Sequence, residues 1–230
     1  MSQATTLVLF DIDGTLLRGA AEHHKRALID GIQKVTGLAT HLDGISTSGM
    51  LDYDLIAAML RSARYPDEQT QEAMHNIIEE CQRSYCSNCP STLADMVCPG
   101  VPALLFELRD RAAVLGLVTG NLSAIAWRKM ELAGLRQYFE VGAFAEDAST
   151  RVELASMARK RAIQRDLISV DCYTSLVGDH PNDVQAARQN GFQAVAVATG
   201  IIGRDALAAA QPDILVETLN DLNVNALFKR

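Results

Sequence analysis

Two aspartates, Asp11 and Asp13, directly follow the apolar run Leu-Val-Leu-Phe at positions 7–10. A short, wholly apolar run of this kind is typical of a strand buried on both faces of a parallel sheet. Carboxylates at the end of such a strand lose hydration, so they need a cation or hydrogen-bond donors in return. Gly14 lets the chain turn away, and Thr15 adds a hydroxyl beside the acids. The pattern indicates a metal site or an active site, with a plain strand followed by an Asp-Gly turn as the alternative.

Two later apolar runs also end in polar clusters. The run 115–118 leads into Thr-Gly-Asn at 119–121, and the run 175–177 leads into Gly-Asp-His-Pro-Asn-Asp at 178–183. In an open parallel sheet the ligand site lies outside the carboxyl ends of the strands. We therefore expect the three clusters to converge on one site.

These clusters resemble three sequence motifs of the haloacid dehalogenase-like (HAD) hydrolase superfamily. The Asp-x-Asp-Gly-Thr stretch at 11–15 matches motif one, the strand ending at 119–121 matches motif two, and Gly-Asp-x-x-x-Asp at 178–183 matches motif four. The resemblance extends from position 7 to about position 216. Motif three of the family usually carries a lysine, and the candidate here is Arg151, which keeps the positive charge but presents a planar fork. A solvated loop charge is the alternative for Arg151.

The alternation of apolar runs and helical patterns after position 98 predicts βαβ units and an α/β fold with a parallel sheet. The region 18–97 shows helical patterns and no strand pattern, so composition alone indicates a helical subdomain. The resemblance implies a Rossmann-like three-layer α/β/α core formed by residues 1–17 and 98–230, with residues 18–97 as an α-helical cap domain inserted after the first strand. We predict helices at 22–35, 51–61, 69–85, 104–111, 124–133, 152–165 and 184–189, and further strands at 115–118, 141–144, 175–177, 194–198 and 214–216.

The resemblance implies a Mg²⁺-dependent phosphatase of a small phosphorylated metabolite, similar to phosphoglycolate phosphatases, which works through an aspartyl-phosphate. Asp11 would be the nucleophile, and Asp13 would protonate the leaving alcohol and then activate water. An acid at position 13 disfavours dehalogenation, because a halide leaves without a proton. The resemblance also implies that the phosphate is bound by Thr119, Gly120, Asn121 and Arg151. Thr119 and Arg151 would have catalytic roles as well. The Mg²⁺ ion would be bound by Asp11, the Asp13 backbone carbonyl, Asp179 and Asp183.

Several alternatives stay open. A phosphomutase would share the aspartyl-phosphate, a phosphonate hydrolase would need Lys25 or Lys34 from the cap, and a regulatory or binding module could retain the fold without activity. The aspartates of the motif-four stretch could form only a turn and a helix N-cap. His180 is interpreted as a local hydrogen-bond partner, and three residues near the junction of core and cap are treated as surface residues: Arg18, His23 and His24.

The composition is that of an ordinary soluble globular protein. The chain has 230 residues, of which 48% are hydrophobic and 21% charged, enough for one core and a smaller second unit. The net charge of −7 and the scattered basic residues argue against a nucleic-acid partner. With no leader pattern and no membrane-length apolar run, we expect a cytoplasmic protein without a membrane partner, as a monomer or homodimer.

Five cysteines are present, and four of them fall between positions 81 and 98. The Cys86-Ser-Asn-Cys89 spacing is used by zinc and iron–sulfur sites, but no second pair follows it. Free thiols are the expected state, with a metal site as the alternative.

Overall fold

A computed structural model describes residues 4–228 and contains one six-stranded parallel sheet. The strands lie in the order β3-β2-β1-β4-β5-β6, so the first strand in the chain is central. Their bounds are β1 Ala4–Phe10, β2 Val114–Val118, β3 Val141–Ala143, β4 Ile168–Gly178, β5 Gln193–Val197 and β6 Ile214–Val216. The sequence-based prediction of a parallel α/β sheet is confirmed.

The central strand β1 is apolar in sequence because it is buried on both faces. Leu7 and Leu9 pack into the hydrophobic cluster on one face of the sheet, while Val8 and Phe10 pack into the cluster on the other face. All four side chains are fully buried, because successive residues of a strand point to opposite faces and helices cover both. Phe10 pairs with β2 on one side and with β4 on the other. The carboxyl ends of these three strands therefore lie side by side.

The outer layers of the core are formed by the helices after position 98, and residues 4–228 contain eight α-helices in all. They are α1 Ala21–Thr36, α2 Asp52–Ser62, α3 Asp67–Asn88, α4 Val101–Asp110, α5 Ser123–Leu132, α6 Arg151–Gln164, α7 Pro181–Gln189 and α8 Arg204–Ala209. The buried residues of α6, α7 and α8 join the cluster of Leu7 and Leu9, and those of α4 join the cluster of Val8 and Phe10. The three-layer α/β/α architecture is confirmed.

The helices α1, α2 and α3 form an insertion between β1 and α4, hereafter the helical insertion. The two chain crossings that connect it run side by side, since Arg18 N donates to Met96 O at 2.8 Å and Cys98 N donates to Leu16 O at 2.9 Å. The division into domains at 17/18 and 97/98 stays a prediction. Within residues 4–228 no helix combines the length and the apolar character needed to span a bilayer.

The helix boundaries differ from the predictions mainly at prolines. We placed the start of α4 at 104 and the start of α7 at 184, but they begin at Val101 and Pro181. Proline fits the first turn of a helix, where its missing N–H has no intrahelical acceptor, so both helices start around the proline. Helix α8 was not predicted, because its six residues are too few to show a period.

Candidate active site

The three clusters at the strand ends converge, as expected. Asp11 follows β1, Thr119 follows β2 and Asp179 follows β4, and all three line one cavity of about 320 Å³. Arg151, the first residue of α6, lines the same cavity. Asp183, in the first turn of α7, lies behind Arg151 and is 1% exposed.

Three carboxylates crowd together at the base of this cavity. Oxygens of Asp11, Asp179 and Asp183 all lie within 4.8 Å of one another, and all three residues are buried. Burial, with repulsion from its acidic neighbours, raises the pKa of Asp11 to about 6 even though Arg151 opposes the shift. Burial and the charges of Asp11 and Asp183 raise the pKa of Asp179 to about 8. Arg151 offsets only part of this negative charge, and a divalent cation would neutralise the rest.

The surroundings of Asp179 also fit a small, hard cation. Thr15 Oγ1 donates to Asp179 Oδ1 at 3.2 Å, and the backbone of Gly14 and Gly200 lies directly against the carboxyl group. A Cβ atom at either glycine would overlap that carboxyl group. Since all the candidate ligand atoms are oxygens, the residues present fit Mg²⁺ better than a softer metal.

Arg151 lies between two of the carboxylates. Its Nη1 atom is 2.9 Å from Asp11 Oδ1 and 3.0 Å from Asp183 Oδ1, and its side chain is 9% exposed. Burial lowers the pKa of Arg151, but the charges of Asp183 and Asp11 outweigh it and raise the pKa above its ordinary value. The side chain of Thr150 accepts from Glu153 N in a capping box, which fixes where α6 and hence Arg151 begin. The alternative of a solvated loop charge is therefore wrong.

Asp183 also serves as a helix cap. Its Oδ2 atom accepts from His180 N at 3.1 Å, while His180 Nδ1 accepts from Asn182 N at 3.1 Å. Burial and the nearby Arg151 lower the pKa of His180, which favours the neutral acceptor form. The N-cap of α7 is therefore His180, so the interpretation of the two aspartates as only a turn and an N-cap is wrong, and Asp183 lies beside the site at the third position of the helix.

The residues after β2 form one wall of the cavity. Thr119 is 1% exposed, and its Oγ1 accepts from Asn121 N at 3.3 Å. The side chain of Asn121 donates through Nδ2 to Asp13 Oδ2 at 2.8 Å. Gly120 lies under the helical insertion, since its carbonyl accepts from Asp52 N at 2.8 Å. The phosphate-binding roles of these residues stay predictions.

A buried lysine was missed. Lys129 of α5 is 0% exposed, and its Nζ atom lies 2.8 and 2.7 Å from the two carboxylate oxygens of Asp13. It also lies 2.7 Å from Asn121 Oδ1 and 3.2 Å from His24 Nδ1, and His24 Nε2 lies 2.8 Å from Asp52 Oδ2. Burial raises the pKa of Asp13, but the charge of Lys129 and the hydrogen bonds from Lys129 and Asn121 hold the pKa below its ordinary value.

The treatment of His24 as a surface residue was wrong, whereas Arg18 and His23 are exposed as expected. His24 lies on the apolar side of α1, where the other buried residues are Ala27, Leu28, Gly31 and Ile32. Spacings of three, four, seven and eight residues place these side chains on one helix face. Asp52 in α2 and Lys129 in α5 likewise occupy apolar-face positions. A polar residue in the apolar stripe of each helix was the available signal.

None of the five cysteines lines the cavity. All five are free thiols, and burial raises the pKa of Cys81 to about 12. Cys86 and Cys89 lie near the end of α3, where Cys89 Sγ accepts from Arg128 Nε at 3.4 Å. Whether they bind a metal stays an open prediction.

Comparison with known proteins places this geometry in a family. A sequence model described as haloacid dehalogenase-like hydrolase matches residues 5–191. A phosphoglycolate phosphatase of Synechococcus elongatus is 28% identical over 94% of this chain and 94% of its own. A plasmid-encoded phosphoglycolate phosphatase of Cupriavidus necator is 31% identical over 96% of this chain and 93% of its own.

Solved structures share the fold. A β-phosphoglucomutase from Clostridium difficile superposes with a TM-score of 0.72 at 19% identity, covering 99% of this chain and 96% of that one. A predicted phosphoglycolate phosphatase from Haemophilus somnus gives a TM-score of 0.66 at 17% identity, covering 94% and 95%. The family match spans most of the chain and includes the strand ends that carry Asp11, Thr119 and Asp179. The protein therefore belongs to the haloacid dehalogenase-like hydrolase family, as its motifs predicted.

Proposed function

We propose that this hydrolase is a Mg²⁺-dependent phosphatase of a small phosphorylated metabolite, similar to phosphoglycolate phosphatases, and that Asp11 carries the phosphoryl group during turnover. The observation that carries this proposal is the meeting of Asp11, Asp179 and Asp183 with the cation of Arg151 in one cavity. The names of the two relatives at 28% and 31% identity support the same chemistry.

Asp11, Asp179, Asp183 and the backbone carbonyl of Asp13 would hold the Mg²⁺ ion. When bound, the ion supplies charge that reduces the repulsion between a carboxylate nucleophile and a phosphate dianion. Arg151 supplies a second positive charge beside Asp11, aimed at the region where negative charge grows in the transition state. Thr119, Gly120 and Asn121 would bind the phosphoryl oxygens where α5 begins.

Asp13 suits proton transfer better than metal binding through its side chain. Its side chain is 37% exposed and reaches the cavity, whereas the Asp11 side chain is 7% exposed. Asp13 would give a proton to the leaving alcohol as the P–O bond breaks. The resulting carboxylate would then take a proton from the water that hydrolyses the aspartyl-phosphate.

The cavity favours a small substrate. Its volume of about 320 Å³ must hold both the phosphate and the organic part. The helical insertion roofs it through residues of α1 and of the segment before α2, among them Lys25 and Met50. We propose that this insertion is the cap that selects the substrate and excludes water.

The proposal predicts phosphate release from small phosphate esters that requires both Mg²⁺ and Asp11. We expect Asp11→Asn to lower kcat at least ~10³-fold, because it removes the nucleophile. Asp205→Asn, at an exposed aspartate in α8, is the matched control and should keep the parent activity. The measurement is phosphate release across a panel of esters with Mg²⁺ or with EDTA, together with mass spectrometry of acid-quenched enzyme for a phosphorylated Asp11.

Activity that survives in Asp11→Asn, or that is unchanged in EDTA, would refute the proposal. Transfer of the phosphoryl group to a second hydroxyl, dependent on a bisphosphate activator, would instead identify a phosphomutase.

A further inference from the structure

Lys129 is a buried cation whose hydrogen bonds are all accounted for. An ammonium group has three N–H donors and no acceptor. Here those donors face the carboxylate of Asp13, the Oδ1 atom of Asn121 and the Nδ1 atom of His24, all within 3.2 Å. Lys129 does not itself line the cavity, whereas Asp13, Asn121 and His24 do. It therefore lies behind the reacting groups and contacts one of them.

Because Lys129 can only donate hydrogen bonds, it favours one tautomer of His24. An ammonium cannot accept, so its 3.2 Å contact with His24 is a hydrogen bond in the tautomer whose Nδ1 accepts; the ring proton then lies on Nε2, which donates to Asp52 Oδ2 at 2.8 Å. The same Asp52 oxygen accepts from Leu122 N at 2.8 Å. A continuous hydrogen-bonded chain thus runs from the helical insertion to Asp13 in the core.

We propose that Lys129 is a positioning residue that holds the carboxyl group of Asp13 for proton transfer to the leaving alcohol, and that His24 and Asp52 of the helical insertion hold Lys129. The inference rests on the proposed function, since Asp13 transfers a proton only if an ester is cleaved.

The hydrogen bonds to Asp13 fix the orientation of its carboxyl group. Lys129 contacts both carboxylate oxygens of Asp13, and Asn121 donates to Oδ2 as well, so rotation of the carboxyl group would break several hydrogen bonds. Proton transfer needs the acid within hydrogen-bond reach of the alcohol oxygen, and a small misplacement slows it strongly. Contacts of the ammonium with both oxygens are those of an ionised carboxylate, so Lys129 stabilises the form of Asp13 that remains once it has given up its proton and that then acts as the base toward water.

The first test uses leaving groups of different basicity. An alkyl phosphate needs a proton on its leaving oxygen, whereas p-nitrophenyl phosphate releases a stable phenolate. The value of kcat/KM covers only the steps up to departure of the alcohol, so it isolates the acid step. We expect Lys129→Met to lower kcat/KM for the alkyl ester ~10²-fold, the scale of general acid catalysis, and for the aryl ester less than ~3-fold.

Two controls separate positioning from folding. Lys160→Met removes an exposed lysine of α6 and should change neither value. In Asp13→Asn enzyme, adding Lys129→Met should cause no further loss with the alkyl ester, because a residue that acts only through Asp13 has nothing left to position.

The role of the helical insertion is tested at adjacent histidines. His24→Phe keeps a ring against Tyr85, whose centroid lies 6.1 Å away, but removes the acceptor for Lys129. We expect a loss of ~10-fold in kcat/KM for the alkyl ester alone, less than for Lys129→Met because Asp13 and Asn121 still hold the ammonium. His23→Phe alters an exposed position and should behave like the parent.

The outcomes are distinct. An equal fall with both esters in Lys129→Met, or an additive loss in the double variant, would overturn the positioning role while leaving the phosphatase assignment intact. A rise in KM of equal size for both esters in His24→Phe would show that His24 contacts the substrate and would overturn the part played by the insertion. A parent enzyme that cleaves neither ester would overturn the proposed function and this inference together.

Discussion

At the scale of single residues, the informative departure is an arginine where the family usually has a lysine. Arg151 contacts Asp11 and Asp183 through one nitrogen, Nη1, and its Nε atom has no hydrogen-bond partner within residues 4–228. A guanidinium has five N–H donors in a fixed plane, so donors remain for a substrate oxygen after the two carboxylates are paired. Gly120 lies beside this group, since a Cβ there would be 3.4 Å from Arg151 Nη2, an ordinary van der Waals contact.

We predict that a positive charge at position 151 is not sufficient for full activity. Arg151→Met should lower kcat by ~10²–10³-fold, the loss typical of removing one donor that stabilises the transition state. Arg151→Lys should recover only part of this, because an ammonium cannot contact both carboxylates and the phosphoryl group in the same plane. Steady-state kinetics on the best ester provides the measurement, with Arg159→Met on the outer part of α6 as the control. Full activity in Arg151→Lys would show that only the charge matters.

Whether a residue of the site could be predicted depends on how far along the sequence its hydrogen-bond partners lie. Asp11, Asp13, Asp179 and Asp183 could be predicted because each follows a buried strand within a few residues. Three other polar residues could not, because their partners are distant in sequence: Lys129 is 116 residues from Asp13 and 105 from His24, and His24 is 28 from Asp52. Local sequence shows only that Lys129 interrupts an apolar stripe, which alone does not identify a partner.

At the scale of elements, the segment that leads into α2 contacts residues that follow two of the strands at the cavity. Gly49 O accepts from Asn182 Nδ2 at 3.2 Å, within motif four, and Asp52 N donates to Gly120 O at 2.8 Å, in motif two. A Cβ at Gly120 would lie 2.8 Å from Met50 O, closer than carbon and oxygen atoms pack. The absence of a side chain at position 120 is therefore needed for this contact.

Gly120→Ala is predicted to push the segment 49–52 away from the core. We expect KM to rise and kcat to fall together, and the free energy of unfolding to drop by about 1–3 kcal/mol through overpacking. Thermal or urea unfolding and steady-state kinetics provide the measurements. Gly203→Ala is the matched control for the kinetics, since no atom lies within 4 Å of its Cβ position; because Gly203 is the N-cap of α8, it should cost up to about 1 kcal/mol of stability and leave the kinetics unchanged. Parent-like kinetics in Gly120→Ala would show that this contact does not shape the site.

The elements themselves were predictable to different degrees. Long amphipathic helices such as α1 and α3 and the apolar strand β1 follow from periodicity. The strand β4 was predicted only at its apolar end, 175–177, because its first half carries exposed residues such as Val170 and Asp171 and pairs with β1 through a shift in register. The first half of β4 extends beyond its pairing with β5, which begins at Ser175, and local sequence does not report how far the neighbouring strands and helices extend.

At the scale of the whole molecule, the crowded negative charges of the site lower the stability of the fold. Three carboxylates share the base of the cavity, and within the described residues Arg151 is the one cation paired with them. The raised pKa values of Asp11 and Asp179 mean that the folded, metal-free protein binds more protons than the unfolded chain at neutral pH. A bound cation would remove this cost, so metal binding and folding stability are coupled.

The raised pKa values determine the direction in which the stability of the metal-free protein changes with pH. For a carboxyl group whose folded pKa lies above its unfolded value of 3.8, stability falls as pH rises from the unfolded pKa to the folded one, here from about 4 to about 6 for Asp11 and to about 8 for Asp179. In EDTA the parent should thus lose stability between pH 5 and pH 8, on the order of 1–3 kcal/mol from these groups. Asp179→Asn should show a shallower loss over the same range, because it removes the group with the higher pKa.

Added Mg²⁺ should stabilise the parent more at pH 8 than at pH 5.5, because the ion competes with protons for the same oxygens. Melting temperatures with Mg²⁺ and with EDTA at both pH values measure this difference, and calorimetry in buffers of different ionisation enthalpy should detect proton release on binding. Asp179→Asn should lose most of the Mg²⁺ effect, whereas Asp205→Asn should retain it. If Mg²⁺ stabilised the protein equally at both pH values and in Asp179→Asn, the ion would be binding elsewhere, and the three buried carboxylates would need another explanation.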